Sequence, residues 1–131
     1  MFSSALAQSD TANWPSQNLN IENSRYSTLD QINTSNVDQL NILWSFEPGL
    51  RDDIAQVTPL VVDGVMYLHS RATMYALDAT TGEELWRRIL DSGPANGPVR
   101  GSTYAEGRVY AYRGADLYAF DAETGAAVAS F

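Results

Sequence analysis

The stretch "ALDATTGEELW", Ala76 to Trp86, returns as "AFDAETGAAVASF" from Ala119 to Phe131. Stepping along the chain by 43 residues pairs Ala76 with Ala119, Asp78 with Asp121, Thr81 with Thr124 and Gly82 with Gly125. The same step pairs Gly64 with Gly107, Tyr67 with Tyr110 and Tyr75 with Tyr118, and it sets Asp63 opposite Glu106. A match held at one offset over that length is a repeat, and a period of roughly 40–50 residues marks a repeated supersecondary unit.

The unit reads as four short strands. "TPLVVDG" is an apolar run closed by Asp63-Gly64, a hairpin turn pair. "VMYLHS" is β-branched and aromatic, "TMYALDA" alternates up to the Thr-Gly turn, and "ELWRRIL" is the fourth run. The second copy gives "GSTYAEG", "RVYAYRG", "DLYAFDA" and then "AVASF". Four-stranded antiparallel units at this period are propeller blades, so the fold class is all-β. One blade cannot bury both of its faces and needs neighbours.

Within that unit the repeated words have structural tasks. Asp78 and Thr81 can hydrogen-bond the backbone of the tight turn, and Gly82 supplies a positive φ. Ala76 is small where blades approach, and Trp86 has the bulk to cross the seam between blades. The second copy has Ala119, Asp121, Thr124 and Gly125, but Ala129 at the tryptophan position. The motif builds the blade and carries no chemistry.

Composition narrows the partners. The chain has 131 residues with 16 acidic and 8 basic side chains, a formal charge of −8. Nucleic acid needs clustered Lys and Arg to displace counterions, and the basic residues here are few and dispersed. With no cysteine there is no disulfide, thiolate metal site or thiol nucleophile in the chain. No apolar run reaches the ~20 residues of a membrane span. "SSALAQ" has the small-x-small pattern of a signal peptidase site, so residues 1–12 read as the remnant of a signal peptide and a linker. The single histidine, His69, reads as a structural residue of an apolar strand.

Ala-x-Asp-x-x-Thr-Gly-x-x-x-Trp, complete at Ala76 to Trp86, resembles the tryptophan-docking motif of quinoprotein propellers. "NWPSQNLNIENSRYSTLDQINTSNVDQLNILWSFEPG", Asn13 to Gly49, is similar to the N-terminal lead of the pyrroloquinoline quinone (PQQ) alcohol and sugar dehydrogenases. The matching words are Trp14, Asn23, Arg25-Tyr26-Ser27, Leu29 to Asn33, Asn36-Val37, Leu40 and Trp44. The resemblance implies two blades of an eight-bladed ring, the second cut in its last strand. It divides the chain into a lead at 13–50, a first blade at 51–91 and a second at 92–131. By themselves, Leu29, Ile32, Val37 and Leu40 are spaced for a short helix or turn. Asn41 to Glu47 reads as a strand, the candidate for closing the ring and removing its open edges.

The resemblance further implies that PQQ, a planar tricarboxylated ortho-quinone, lies where the inner strands converge. Arg100, ahead of Gly101, stands where the family has a PQQ-binding arginine. Its planar fork suits a carboxylate. Gln56 stands where the family commonly has a glutamate and can still make a neutral hydrogen bond. The adjacent cysteines of many alcohol-oxidising members are replaced by Pro94 and Ala95. The expected reaction is oxidation of an alcohol or sugar to the carbonyl, with electrons leaving to cytochrome c or a membrane quinone in the periplasm. Ca²⁺ or a lanthanide ion would assist as a Lewis acid, with its ligands and the catalytic base in later blades. The Asp52-Asp53 pair reads as solvated. The other reading is a non-catalytic propeller of the same repeat, acting as a binding or assembly scaffold.

Overall fold

The computed structural model describes residues 12–49, 57–90 and 101–130. Seven strands form two antiparallel meanders. The first sheet runs β1 (Leu60–Val62), β2 (Val65–His69), β3 (Thr73–Asp78), β4 (Glu84–Ile89), in that spatial order. The second runs β5 (Thr103–Ala105), β6 (Arg108–Arg113), β7 (Asp116–Asp121). Its fourth strand is only begun: Phe120 bridges Ala127, and the Val128 N–H donates to the Ala119 carbonyl at 2.9 Å.

Local chemistry sets the hairpins. Asp63 and Gly64 have φ of 49° and 79°, and Glu106 and Gly107 have 50° and 73°. Two successive positive φ values make the turn whose twist matches that of the flanking strands. The registers follow, with Val62 opposite Val65 and Ala105 opposite Arg108.

The period of two then sorts the side chains. One face of the first sheet presents Leu60, Val62, Tyr67, Met74, Ala76 and Trp86 to the second sheet. The second sheet answers with Val109, Ala111, Phe120 and Ala122, and Leu90 joins the same core. The opposite face of the first sheet, Leu68, Tyr75 and Leu77, is covered by Trp44, Phe46 and Val57. The first blade is therefore buried on both sides. The second blade is covered on one side, and Tyr112 and Leu117 on its other face are exposed.

The lead forms the short helical turn that its spacing predicts. Between Leu29 and Leu40 the only helical element is a 3-10 turn at Val37–Gln39, and Leu29, Ile32, Val37 and Leu40 are all exposed. Asn18, Asn23 and Arg25 tie the start of the lead into a knot. The Asn18 amide donates to Asn23 Oδ1 at 2.7 Å, and Arg25 Nε donates to Asn18 Oδ1 at 2.8 Å. Residues 41–47 form no strand ladder with any of the described residues, and Ile42 and Leu43 face solvent. No helix of the described residues is long and apolar enough to cross a membrane.

Candidate functional site: blade seams and the strand entrances

Two seams are built by one device. Trp86, on β4, lays its indole over Gly125, so closely that a Cβ there would stand 2.6 Å from the ring. Its Nε1–H donates to the Ala122 carbonyl at 3.0 Å. Trp44 does the same one repeat earlier: its indole covers Gly82 at the same 2.6 Å, and its Nε1–H donates to the Ala79 carbonyl at 3.2 Å. The sequence motif did not single out Trp44, because the Asp and Thr-Gly that precede Trp86 have no counterparts ahead of it. The available signal was its spacing from Trp86, one residue short of the repeat.

The turns that receive these indoles are held by their own side chains. Asp78 Oδ1 accepts the N–H groups of Thr80 and Thr81, each at 2.8 Å. Asp121 Oδ1 accepts the Thr124 N–H at 2.8 Å and its hydroxyl at 2.7 Å. Thr81 and Thr124 in turn accept the N–H groups of Glu83 and Ala126. Backbone donation from Thr81, then Thr80, lowers the Asp78 carboxyl below the usual range. The Thr124 hydroxyl, then its N–H, does so for Asp121. Gly82 and Gly125 have φ of 76° and 67°. Both aspartates are engaged through Oδ1 in holding their turns, the structural task their Thr-Gly context implies.

Further residues lock the second seam. The Tyr67 hydroxyl donates to the same Ala122 carbonyl at 3.2 Å. Burial pushes this phenol up to about 12, with Tyr104, Asp63 and Asp121 adding to the shift. Arg88 reaches from β4 to the second turn, where Nε donates to the Gly125 carbonyl at 2.6 Å and Nη2 to the Thr124 carbonyl at 3.1 Å. Arg113 donates to the Leu90 carbonyl. None of the three was assigned a task from sequence, because each partner lies 23 or more residues away.

The inner strands β1 and β5 lie beside one another, and their entrances meet. Gly101, at φ 107°, sits so that a Cβ would stand 3.6 Å from the Thr58 carbonyl oxygen. Beside it is a depression of about 330 Å³ lined by Gln17, Gly101, Ser102, Thr103, Tyr110 and Tyr112, among others. Hydroxyls and an amide line it together with the apolar Ala111 and Leu117. Arg100 and Gln56 lie outside the described residues, as do Asp52, Asp53, Pro94, Ala95 and residues 1–11. Among the described residues no group of three or more His, Asp or Glu is placed to hold a metal ion.

Comparison with known proteins agrees with this architecture. Residues 14–131 match the PQQ family model described as glucose/ethanol/alcohol dehydrogenase, β-propeller domain. The chain is 38% identical to the dehydrogenase subunit of the quinone alcohol dehydrogenase of Gluconobacter oxydans, over 92% of this chain and 18% of that one. It is 36% identical to the lanthanide-dependent methanol dehydrogenase of Methylorubrum extorquens, over 83% of this chain and 20% of that one. The quinohemoprotein alcohol dehydrogenase structure from Pseudomonas putida HK5 superposes with a TM-score of 0.79 at 35% identity, over 89% of this chain and 18% of that one. The chain thus spans about a fifth of the length of these relatives. The repeat and the blade geometry from β1 onward lie within the family match, and the chain belongs to the PQQ family of glucose/ethanol/alcohol dehydrogenase β-propeller domains.

Proposed function

We propose that this chain is the N-terminal part of an exported, periplasmic PQQ-dependent dehydrogenase that oxidises an alcohol to its carbonyl. The observation that carries the reading is the meeting of the β1 and β5 entrances at Thr58 and Gly101, with Arg100 immediately ahead. In this reading Arg100 pairs with a cofactor carboxylate, Gln56 gives a neutral hydrogen bond, and Gly101 supplies the positive φ of the β5 entrance. When bound, PQQ supplies the acceptor for the hydride leaving the carbinol carbon. The two blades bind and orient it. The general base and the ligands for Ca²⁺ or a lanthanide ion are assigned to other blades, and the lanthanide-dependent relative supports keeping both metals. The names of the quinone and quinohemoprotein relatives support a membrane quinone or cytochrome c as electron acceptor. Residues 41–47 are assigned to the outer edge of the blade that closes the ring, because Trp44 already sits on Gly82 as an outer-strand indole should.

The test is reconstitution of the full-length protein with PQQ and either Ca²⁺ or a lanthanide, followed by dye-linked oxidation of a panel of alcohols and sugars. Arg100→Ala should weaken PQQ binding by roughly 10–100-fold, the scale of a lost charge-assisted pair. Arg100→Lys should recover only part of this, because an ammonium cannot match the fork. A full-length protein that fails to bind PQQ would support the scaffold reading instead.

A further inference from the structure

Residues 13–17 belong to neither sheet, yet they bond to both. The Trp14 N–H donates to the Val61 carbonyl in β1 at 2.6 Å, and the Trp14 carbonyl accepts from the Val61 N–H at 3.1 Å. One residue on, the Pro15 carbonyl accepts from the Tyr104 N–H in β5 at 2.8 Å. One residue back, the Asn13 side chain meets Asp63 at the end of β1. Its oxygen accepts the Asp63 N–H at 2.9 Å, and its amide nitrogen donates to the Asp63 carboxylate at 3.0 Å. At the far end, Gln17 lines the depression at the entrance of β5.

β1 and β5 are edge strands of their sheets, and these two edges lie side by side. An open edge is a row of unpaired N–H and C=O groups. One dipeptide, Trp14-Pro15, covers a part of each. Proline suits the middle of such a segment because it offers an acceptor and carries no N–H in need of a partner. The attachments at Asn13 are exposed side-chain bonds, whereas the sheets beneath are joined by a buried core. Exposed attachments open more readily than a core.

The geometry points to a latch: residues 13–17 close across the inner edges of both blades as one unit, release without unfolding either blade, and when closed hold the β1 and β5 entrances together. The latch stands on the hydrogen bonds alone. Its consequence, that closure tightens the cofactor's end of the seam, rests on the proposed function.

Hydrogen exchange at single amides of the full-length protein tests both parts. Asn13→Ala should raise exchange at Val61 and at Tyr104 together, by roughly tenfold, as expected for losing two exposed hydrogen bonds. Val109 and Phe120, inside the second sheet, should keep their protection. Asp63→Asn keeps the turn, since Asn-Gly suits the same geometry, and should give a smaller rise at the same two amides. A rise at Val61 without Tyr104, or a rise at all four amides in both variants, would overturn the latch. Adding PQQ to the wild-type protein should slow exchange at Val61 and Tyr104. If the cofactor binds by absorbance and neither amide slows, the coupling is wrong although the latch holds. If it does not bind at all, the cofactor reading fails and the Asn13 result still decides the latch.

Discussion

At the scale of single residues, two aromatic donors of the second seam converge on one carbonyl. Ala122 accepts from both Trp86 and Tyr67, and removing either has a distinct signature. Trp86→Ala should cost about 3–5 kcal/mol by chemical denaturation, the range for emptying an aromatic site in a core. Tyr67→Phe should cost about 1 kcal/mol at neutral pH for the lost hydrogen bond. It should also change the alkaline limb. The Tyr67 phenol lies near 12 when folded and near the usual ~10 when unfolded, so its contribution is complete below pH 10 and is lost as pH rises through about 12. That loss should be absent in the phenylalanine variant. Asp78 and Asp121 act with the opposite sign. Their carboxyls are lowered by the turn, so their contribution holds above pH ~4 and fades as pH falls through their folded values. Acid titration of Asp78→Asn with Asp121→Asn should show a flatter acid limb than the wild type. Gly125→Ala meets both a positive φ and an indole at 2.6 Å, and a loss of about 2 kcal/mol or more in thermal denaturation is expected.

Strands carry a different lesson. The first sheet was readable in the sequence, because Asp63-Gly64 and the alternation in "TMYALDA" each specify one local geometry that the fold keeps. Strand β4 was readable as a strand but not as a clasp. Arg88 projects from it to the carbonyls of Thr124 and Gly125, residues that only the stacking of the sheets brings near. Arg88→Met should lower the unfolding free energy by about 1 kcal/mol, and Arg88→Lys should not restore it, since one ammonium cannot span both acceptors as the planar fork does. In the lead, Leu29, Ile32, Val37 and Leu40 are spaced for a short helix or turn, and a 3-10 turn forms at Val37–Gln39. Residues 41–47 pair with no strand among the described residues, because a strand is defined by a neighbour. At the candidate site, the entrance at Gly101 followed from the family resemblance, whereas the approach of Gln17 to it depends on Trp14 and Pro15 finding partners 47 and 89 residues away.

For the whole molecule, burial is uneven. The first blade has a partner on each face, while Ile21, Ile42, Leu43, Ile89 and Leu117 remain exposed at 58% or more. Apolar surface on that scale drives association. The 131-residue chain expressed alone should therefore sediment as oligomers or aggregates, and substituting Ile42 and Leu43 by lysine should shift it toward monomer in the same run. The three tryptophans occupy three different junctions: Trp14 across the inner edge, Trp44 on the first turn and Trp86 on the second. Each of these three junctions thus carries its own chromophore. Single-tryptophan variants would let emission report these three junctions separately, and the sequence in which those signals redden on denaturation would read out the order in which the three come apart.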